Sequence, residues 1–596
     1  MGLLCSRSAA LALAAGAAAL LLGCGGNSNP PFHDTPNITA IFPTSATAGG
    51  PAFTMSISGT GLISASVAFW NNSPRPTKFN PTSTELSVSI TAQDIASAGI
   101  AQVTVFNPPP GGGPSAAVFF TINPAHGSSA RPSADFAHPD LPQVVSVNAL
   151  GGPADGRSAA PAISADGRFV AFYSNATNLV AAGAAGNIFL RDTCLDVASC
   201  RPETIAVDLA ADGGLPNGEA FAPVSISSDG RFVAFTSTAT NLVSGSRGHA
   251  QAGSSNIFVR DTCRGPRSSV DCVPHTTDIS VDPEGNDPHG ASTSPSLSSD
   301  GRFVAFRSSA GNLATRGSVD SGGIYVRDTC AGPTAPKSCV PATYAAPTAN
   351  QWVLEGQPGG QPGISANGRY VVFDSSLNRA ASSSLSRYPV TEIFLSDTCL
   401  GPSAPHGCEP SATDIRIAPD VGSQNPSVSA DGRFVAFESR AANSVPGQSG
   451  GAQRVYFRDT CLGATAPSAC LPSTTLIPAA ASMLAGNADL GWPWVSPSGR
   501  YITFLAQVRE ESGRRASGLG SLFVYDTCVG VADCIRQVYP ISASGAGSRP
   551  SPWTVDSYTQ VPLTSDGRFA AFSAPYAVSV SPLSGHGDVV LAVTGF

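Results

Sequence analysis

Among the residue types able to carry chemistry, cysteine shows the strongest order. Setting aside Cys5 and Cys24 near the N-terminus, the remaining twelve of 14 cysteines form six local pairs: Cys194/Cys200, Cys263/Cys272, Cys330/Cys339, Cys399/Cys408, Cys461/Cys470 and Cys528/Cys534. Each pair opens on Asp-Thr-Cys and encloses five or eight residues. Zinc ligands usually arrive as close Cys-x-x-Cys couples, and here no histidine or second couple recurs beside them. The expected chemistry is oxidation within each pair, closing short loops in an oxidising compartment. By the chain-entropy model each such loop is worth roughly 2–3 kcal/mol.

Other reactive patterns are weaker. The Gly-x-Ser-x-Gly string Gly447 to Gly451 lies in a glycine-rich loop between strands, whereas a nucleophile elbow needs a strand-to-helix turn. The 8 histidines are scattered without a metalloprotease spacing. His289 near Asp282, Glu284 and Asp287 reads as a solvated acidic loop, and the mixed-charge run from Arg509 to Arg515 as an exposed one. A recurrent loop position holds Asn187, Asn256, Gly323, Glu392, Arg454, Ser521 and Asp588, which is short of the carboxylates calcium needs. The repeated Asp192, Asp261, Asp328, Asp397, Asp459 and Asp526 reads as an acceptor for turn amides ahead of each cysteine loop. No catalytic residue, metal or cofactor is expected. Trp352, Trp492, Trp494 and Trp553 fall at or near the connections between repeats and are the candidate binding face. The alternative is that they plug a channel or pack between blades.

The elements that must position these residues repeat as well. Ser164-Ala165-Asp166-Gly167-Arg168-Phe169-Val170-Ala171-Phe172 recurs in variant form seven times, with Gly167, Gly230, Gly301, Gly368, Gly432, Gly499 and Gly567 spaced 63 to 71 residues apart. In the second copy, Pro223 to Ser227 reads as an inner strand and Asp229-Gly230 as a turn needing positive φ. Strands over Phe232 to Ser237, Ile257 to Asp261 and Thr276 to Val281 follow. A period of this length with four strands per unit predicts a propeller. The seventh unit reads one strand short at Val589 to Val593, and Pro142 to Val147 resembles a fourth strand, so ring closure by a shared strand is expected. That closure also accounts for the missing seventh cysteine pair.

Upstream, residues 36–123 alternate polar and apolar residues between short turns and predict an all-β sandwich with Trp70 in its core. Residues 124–141 read as a linker, residues 24–35 as a flexible tether, and residues 1–23 as a signal peptide with Arg7 ahead of an apolar stretch too short to span a bilayer. The propeller is assigned to residues 142–596.

Three resemblances sharpen this reading. Leu21-Leu22-Gly23-Cys24 resembles the lipobox of bacterial lipoproteins, which implies lipidation of Cys24. The pattern from Pro36-x-Ile38 through Ile57-x-Gly59-x-Gly61 to the strand Ser115 to Ile122 resembles the IPT/TIG immunoglobulin-like domains, mostly spacers or binding modules. The repeated Ser-x-Asp-Gly-Arg core resembles the WD40-like repeats of TolB-type propellers, although the seven copies and the first domain set this chain apart from TolB itself.

Composition bounds the function. Only 12% of residues are charged, 62 are glycine and 50 proline, and 42% are hydrophobic, which suits many short strands and turns. A formal net charge of −8 provides no basic stripe for nucleic acid. The expectation is a monomeric, lipid-anchored, extracytoplasmic binding or scaffold protein of the bacterial envelope, using a propeller face to recognise a protein or an envelope glycan. The alternatives are a propeller lyase or hydrolase acting at the channel mouth, and a purely structural envelope protein.

Overall fold

The computed structural model describes residues 33–123 and 143–594, apart from 181–186, 245–253, 315–321, 348–360, 378–389, 416–421, 441–451, 479–487, 509–518, 542–553, 557–559, 575–586 and several shorter stretches. The signal peptide, Cys24, the linker 124–141, Trp352, Trp553 and Gly447 to Gly451 therefore lie outside the described residues. Among the described residues every regular element is a β-strand, and no helix is long and apolar enough to cross a membrane. The chain divides into two compact units, Met1–Ala134 and Asp135–Phe596.

The first unit has two sheets over one core. One is built on Asn37–Phe42, Phe53–Thr60, Glu85–Ile90 and Thr77–Asn80, the other on Val118–Asn123, Gly99–Asn107 and Val67–Trp70 with short flanking strands. Alternation puts Met55, Ile57, Leu86, Val88, Val103 and Val105 inside. Trp70 is 2% exposed, its ring centroid 4.9 Å from that of Phe120, so it is a core residue. Buried Asn107 accepts from the Ser66 hydroxyl at 2.6 Å and donates to the Asp34 and Gly61 carbonyls, which satisfies its amide where water is excluded.

Among the described residues the second unit is a succession of antiparallel sheets: six built on four consecutive strands, one of these with an added fifth, and one of three strands. The three-stranded sheet orders Gln143–Val144 beside Asp588–Val593 and then Phe569–Ala574, so the segment following residue 142 pairs with the last described strand. Each apolar cluster is shared by successive sheets, and the series closes where Val145, Phe172, Phe189 and Leu591 pack together. Sheets packed face to face in this way are the arrangement of a β-propeller.

The recurrent signature explains how each sheet is locked. In the third copy the Ser298 hydroxyl donates to Asp300 at 2.7 Å and accepts from the Phe303 amide at 2.9 Å, while Arg302 N donates to Asp300. Gly301 takes φ +77 at the turn between them. Arg302 then reaches Asp328 through two bonds of 2.9 and 2.7 Å, its guanidinium 4.6 Å from the Phe303 ring centroid. Asp328 also accepts from the Cys330 amide at 3.0 Å, the turn-capping role expected of this aspartate. The pattern recurs at Arg168/Asp192, Arg231/Asp261, Arg369/Asp397, Arg433/Asp459 and Arg500/Asp526. Arg568 departs from it, pairing with Asp566 and with Asp196 of the first repeat.

The same turns set one sheet against the next. A Cβ on Gly230, Gly301, Gly368, Gly432, Gly499 or Gly567 would fall 2.1 to 2.3 Å from the aromatic ring that the preceding repeat carries two residues after its own glycine. Glycine thus provides both the left-handed turn and the space for a neighbouring ring. The six cysteine pairs are joined as the spacing implies, Cys194–Cys200 through Cys528–Cys534.

Candidate functional site

The inner strands carry a feature that a reading by strand pattern alone passes over. A proline stands two to four residues ahead of the signature Ser or Thr in every copy: Pro161, Pro223, Pro295, Pro362, Pro426, Pro493 and Pro562. Proline cannot donate to a ladder, so it belongs at bulges. Register indeed shifts between Ala159 and Ala162, Phe221 and Ser225, Thr293 and Ser296, Gln424 and Ser427, and Gly491 and Trp494. The residue before the proline takes positive φ at Ala160, Ser294, Asn425 and Trp492.

These bulged strands wall a cavity of about 540 Å³, to which residues of all seven repeats contribute. Towards the Asp-Gly turns it is bounded by a belt of backbone hydrogen bonds: Ala165 N to Ser228 O, Ser228 N to Ser299 O, Ser299 N to Ala366 O, Ala366 N to Ala430 O and Ala430 N to Pro497 O. Ser565 N donates to Ala165 O at 3.0 Å and brings the belt round to its start. The link from residue 497 to residue 565 cannot form, because Pro497 has no N–H.

Further from the turns the wall becomes aromatic and amide-rich. Trp492 and Trp494, both on the strand Ala488–Val495, line the cavity half-buried beside Asn425, Gln361 and Gln560. Both indoles also rest against the apolar cluster of Leu505, Leu522 and Val561. Of the four candidate tryptophans, the two that are described thus lie on an inner strand and not in a connection between repeats.

What holds Trp492 is a carboxylate one sheet away. Glu438, 1% exposed, accepts from Trp492 N at 2.7 Å and from the Gln424 and Asn425 side-chain amides at 2.8 Å each. A Cβ on Gly491 would meet Glu438 Oε2 at 2.3 Å, so the carboxylate occupies the space glycine leaves. Asp374 accepts from Asn425 N at 3.2 Å and Ser573 from Ala160 N at 3.1 Å in the same manner. All three acceptors directly follow the last phenylalanine of a signature. That position varies as Tyr173, Thr236, Arg307, Asp374, Glu438, Leu505 and Ser573, and this variability beside a fixed motif was the available signal.

Several ionisable groups outside the cavity have structural roles. Each Asp-Cys-Cys group, such as Asp328, Cys330 and Cys339, has its sulfurs joined to each other and its carboxylate held by arginine. Exposed His289 uses its backbone N–H on Asn312, and Asp282 caps the turn at Glu284 and Asn286. Burial pushes the Asp208 carboxyl up to about 7, partly offset by the Ile188 amide at 3.0 Å. Burial and the nearby Asp287 charge raise Asp278 to about 7 as well. Neither carboxylate is among the cavity-lining residues.

No family model matches the chain, and no curated protein matches it. Among solved structures it is similar to a TolB-like protein of Agrobacterium tumefaciens, at 18% identity over 54% of this chain and 80% of that one with a TM-score of 0.28. It is similar to the hydrazine synthase of Kuenenia stuttgartiensis at 14% identity, over 71% of this chain and 92% of that one, TM-score 0.31. The oligogalacturonate lyase of Vibrio parahaemolyticus gives 11% identity over 74% of this chain and 98% of that one, TM-score 0.29.

Proposed function

We propose that the chain is a lipid-anchored, extracytoplasmic binding protein of the bacterial envelope, in which an immunoglobulin-like domain is followed by a seven-bladed propeller that recognises an envelope component. The observation that carries this reading is the cavity wall, where two half-buried indoles stand among amides and hydroxyls and no Asp, Glu, Lys, Arg, His, Cys or Tyr is present among the described residues. General acid–base or nucleophilic catalysis needs such groups within reach of a substrate, whereas recognition needs a shaped, largely apolar recess with a few fixed polar groups. The six disulfides support an oxidising compartment. The Gly-, Asn- and Pro-rich sequence that follows Cys24 has the composition of a tether, which suits a module that must reach partners from a membrane surface.

The test is affinity capture from the native envelope with the immobilised full chain, beside a Trp492→Ala/Trp494→Ala form whose folding is checked by circular dichroism. Specific capture that is lost in the double variant supports the reading. Equal capture by both forms, or none by either, refutes it.

A further inference from the structure

We infer that the propeller cavity is a saccharide site, taking a neutral sugar unit of an envelope glycan. The inference rests on the binding reading above and adds the location of the site and the class of its ligand. The cavity, at about 540 Å³, falls within the ~300–1,000 Å³ of small-molecule sites. Its described lining carries no formal charge. An anionic or cationic ligand would therefore give up its hydration without a counter-charge to replace it, so the ligand is neutral.

The polar groups narrow the class further. Gln361 donates to Pro295 O at 2.8 Å, Gln560 to Pro426 O at 3.3 Å, and Asn425 to Glu438 at 2.8 Å. Each amide is thereby oriented through its NH₂, and its side-chain carbonyl is left to accept. The inner strands place a proline without N–H in every repeat, so the donors on the wall are side-chain hydroxyls such as those of Ser225 and Ser427 and the second hydrogen of each amide. Sugar hydroxyls rotate to donate wherever an acceptor waits.

The indoles complete the match. Trp492 and Trp494 present rigid, amphipathic rings to the cavity, suited to the flat C–H faces of a pyranose. Trp492 is held at φ +56, where other repeats place Ala160, Ser294 and Asn425. A bulky residue is strained in that conformation. Glu438 accepts from the Trp492 amide there.

The experiment titrates the full chain in detergent with cellohexaose, maltohexaose, chitohexaose and hexagalacturonate, read by calorimetry and tryptophan fluorescence. At least one neutral hexaose binds, hexagalacturonate binds at least tenfold more weakly, and Trp492→Ala/Trp494→Ala loses at least tenfold in affinity. Gln560→Leu, which removes an acceptor at nearly constant volume, also weakens binding and carries the comparison if the double variant misfolds. The inference is overturned if no neutral hexaose binds, if hexagalacturonate binds as tightly, or if folded variants bind like the parent. Envelope capture run in parallel separates the two claims. A captured protein lost in the tryptophan variant, with no hexaose binding, overturns the saccharide site and leaves the binding reading standing. Failure of both assays removes both.

Discussion

Replacing Gly301 by alanine tests the idea that the signature glycine serves two purposes. The new methyl would sit at φ +77 and 2.3 Å from Cδ2 of Phe232, a ring that is 4% exposed and pinned beneath the Arg231 guanidinium. The left-handed conformation costs ~1–2 kcal/mol for a residue with a Cβ. Overpacking a fixed ring adds ~1–3 kcal/mol. Gly285 is the internal control: it takes φ +81, and a methyl there would have nothing within 4 Å, so Gly285→Ala incurs only the first cost. Gly301→Ala is thus expected to be the less stable of the two by ~1–3 kcal/mol in urea unfolding followed by circular dichroism. In a Phe232→Leu background the difference should shrink, because the clash has lost its partner. Equal unfolding midpoints for the two alanine variants, or an undiminished difference when Phe232 is leucine, would refute the reasoning.

Asp208 supplies a pH test. Its carboxyl, raised by burial to about 7 against an ordinary 3.8, keeps its proton in the folded state while the unfolded chain loses it, so stability falls as pH rises from about 4 to 7. Asp208→Asn should therefore gain on the parent protein as pH goes from 5 to 8, by about 3 kcal/mol at most, and a stability difference that does not change with pH would count against this. Cys330→Ser should cost roughly 2–3 kcal/mol by loop entropy without abolishing the fold, and non-reducing peptide mapping that joins Cys330 to another sheet would reject the local pairing. Cys24→Ala should release the protein from membranes, and continued membrane fractionation of that variant would exclude the lipid anchor.

The repeat was legible because its chemistry is local. Ser298, Asp300, Gly301 and Arg302 satisfy one another within a few residues, so the motif survives as a string, and the cysteine pairs close within 6 or 9 positions. The cavity was not legible in the same way. Trp492 reads as part of a connection until the bulge at Gly491/Trp494 is known, and its partner Glu438 lies 54 residues upstream in another sheet. Asp374 and Glu438 look like stray charges in apolar strands, since their role as acceptors depends on a backbone amide that faces them only after two sheets pack. The prolines were visible throughout, and treating them as bulge markers would have pointed to the cavity wall.

The interrupted belt around the cavity has a mechanical consequence. Its missing link, at Pro497, falls between two repeats that the peptide chain already joins, whereas the Ser565-to-Ala165 bond spans 400 residues, with a further hydroxyl bond from the same serine to the same carbonyl. At Pro497 covalent continuity limits how far the sheets can drift, and at the closing junction the two bonds from Ser565 do so; the hydroxyl bond is not special to that junction, since Ser228 to Ser299 and Ser299 to Ala366 carry one as well. A circular permutant cut between residues 497 and 565 would reverse this, placing its new ends at the one junction with neither a peptide link nor a belt bond, and should be the permutant that opens most easily.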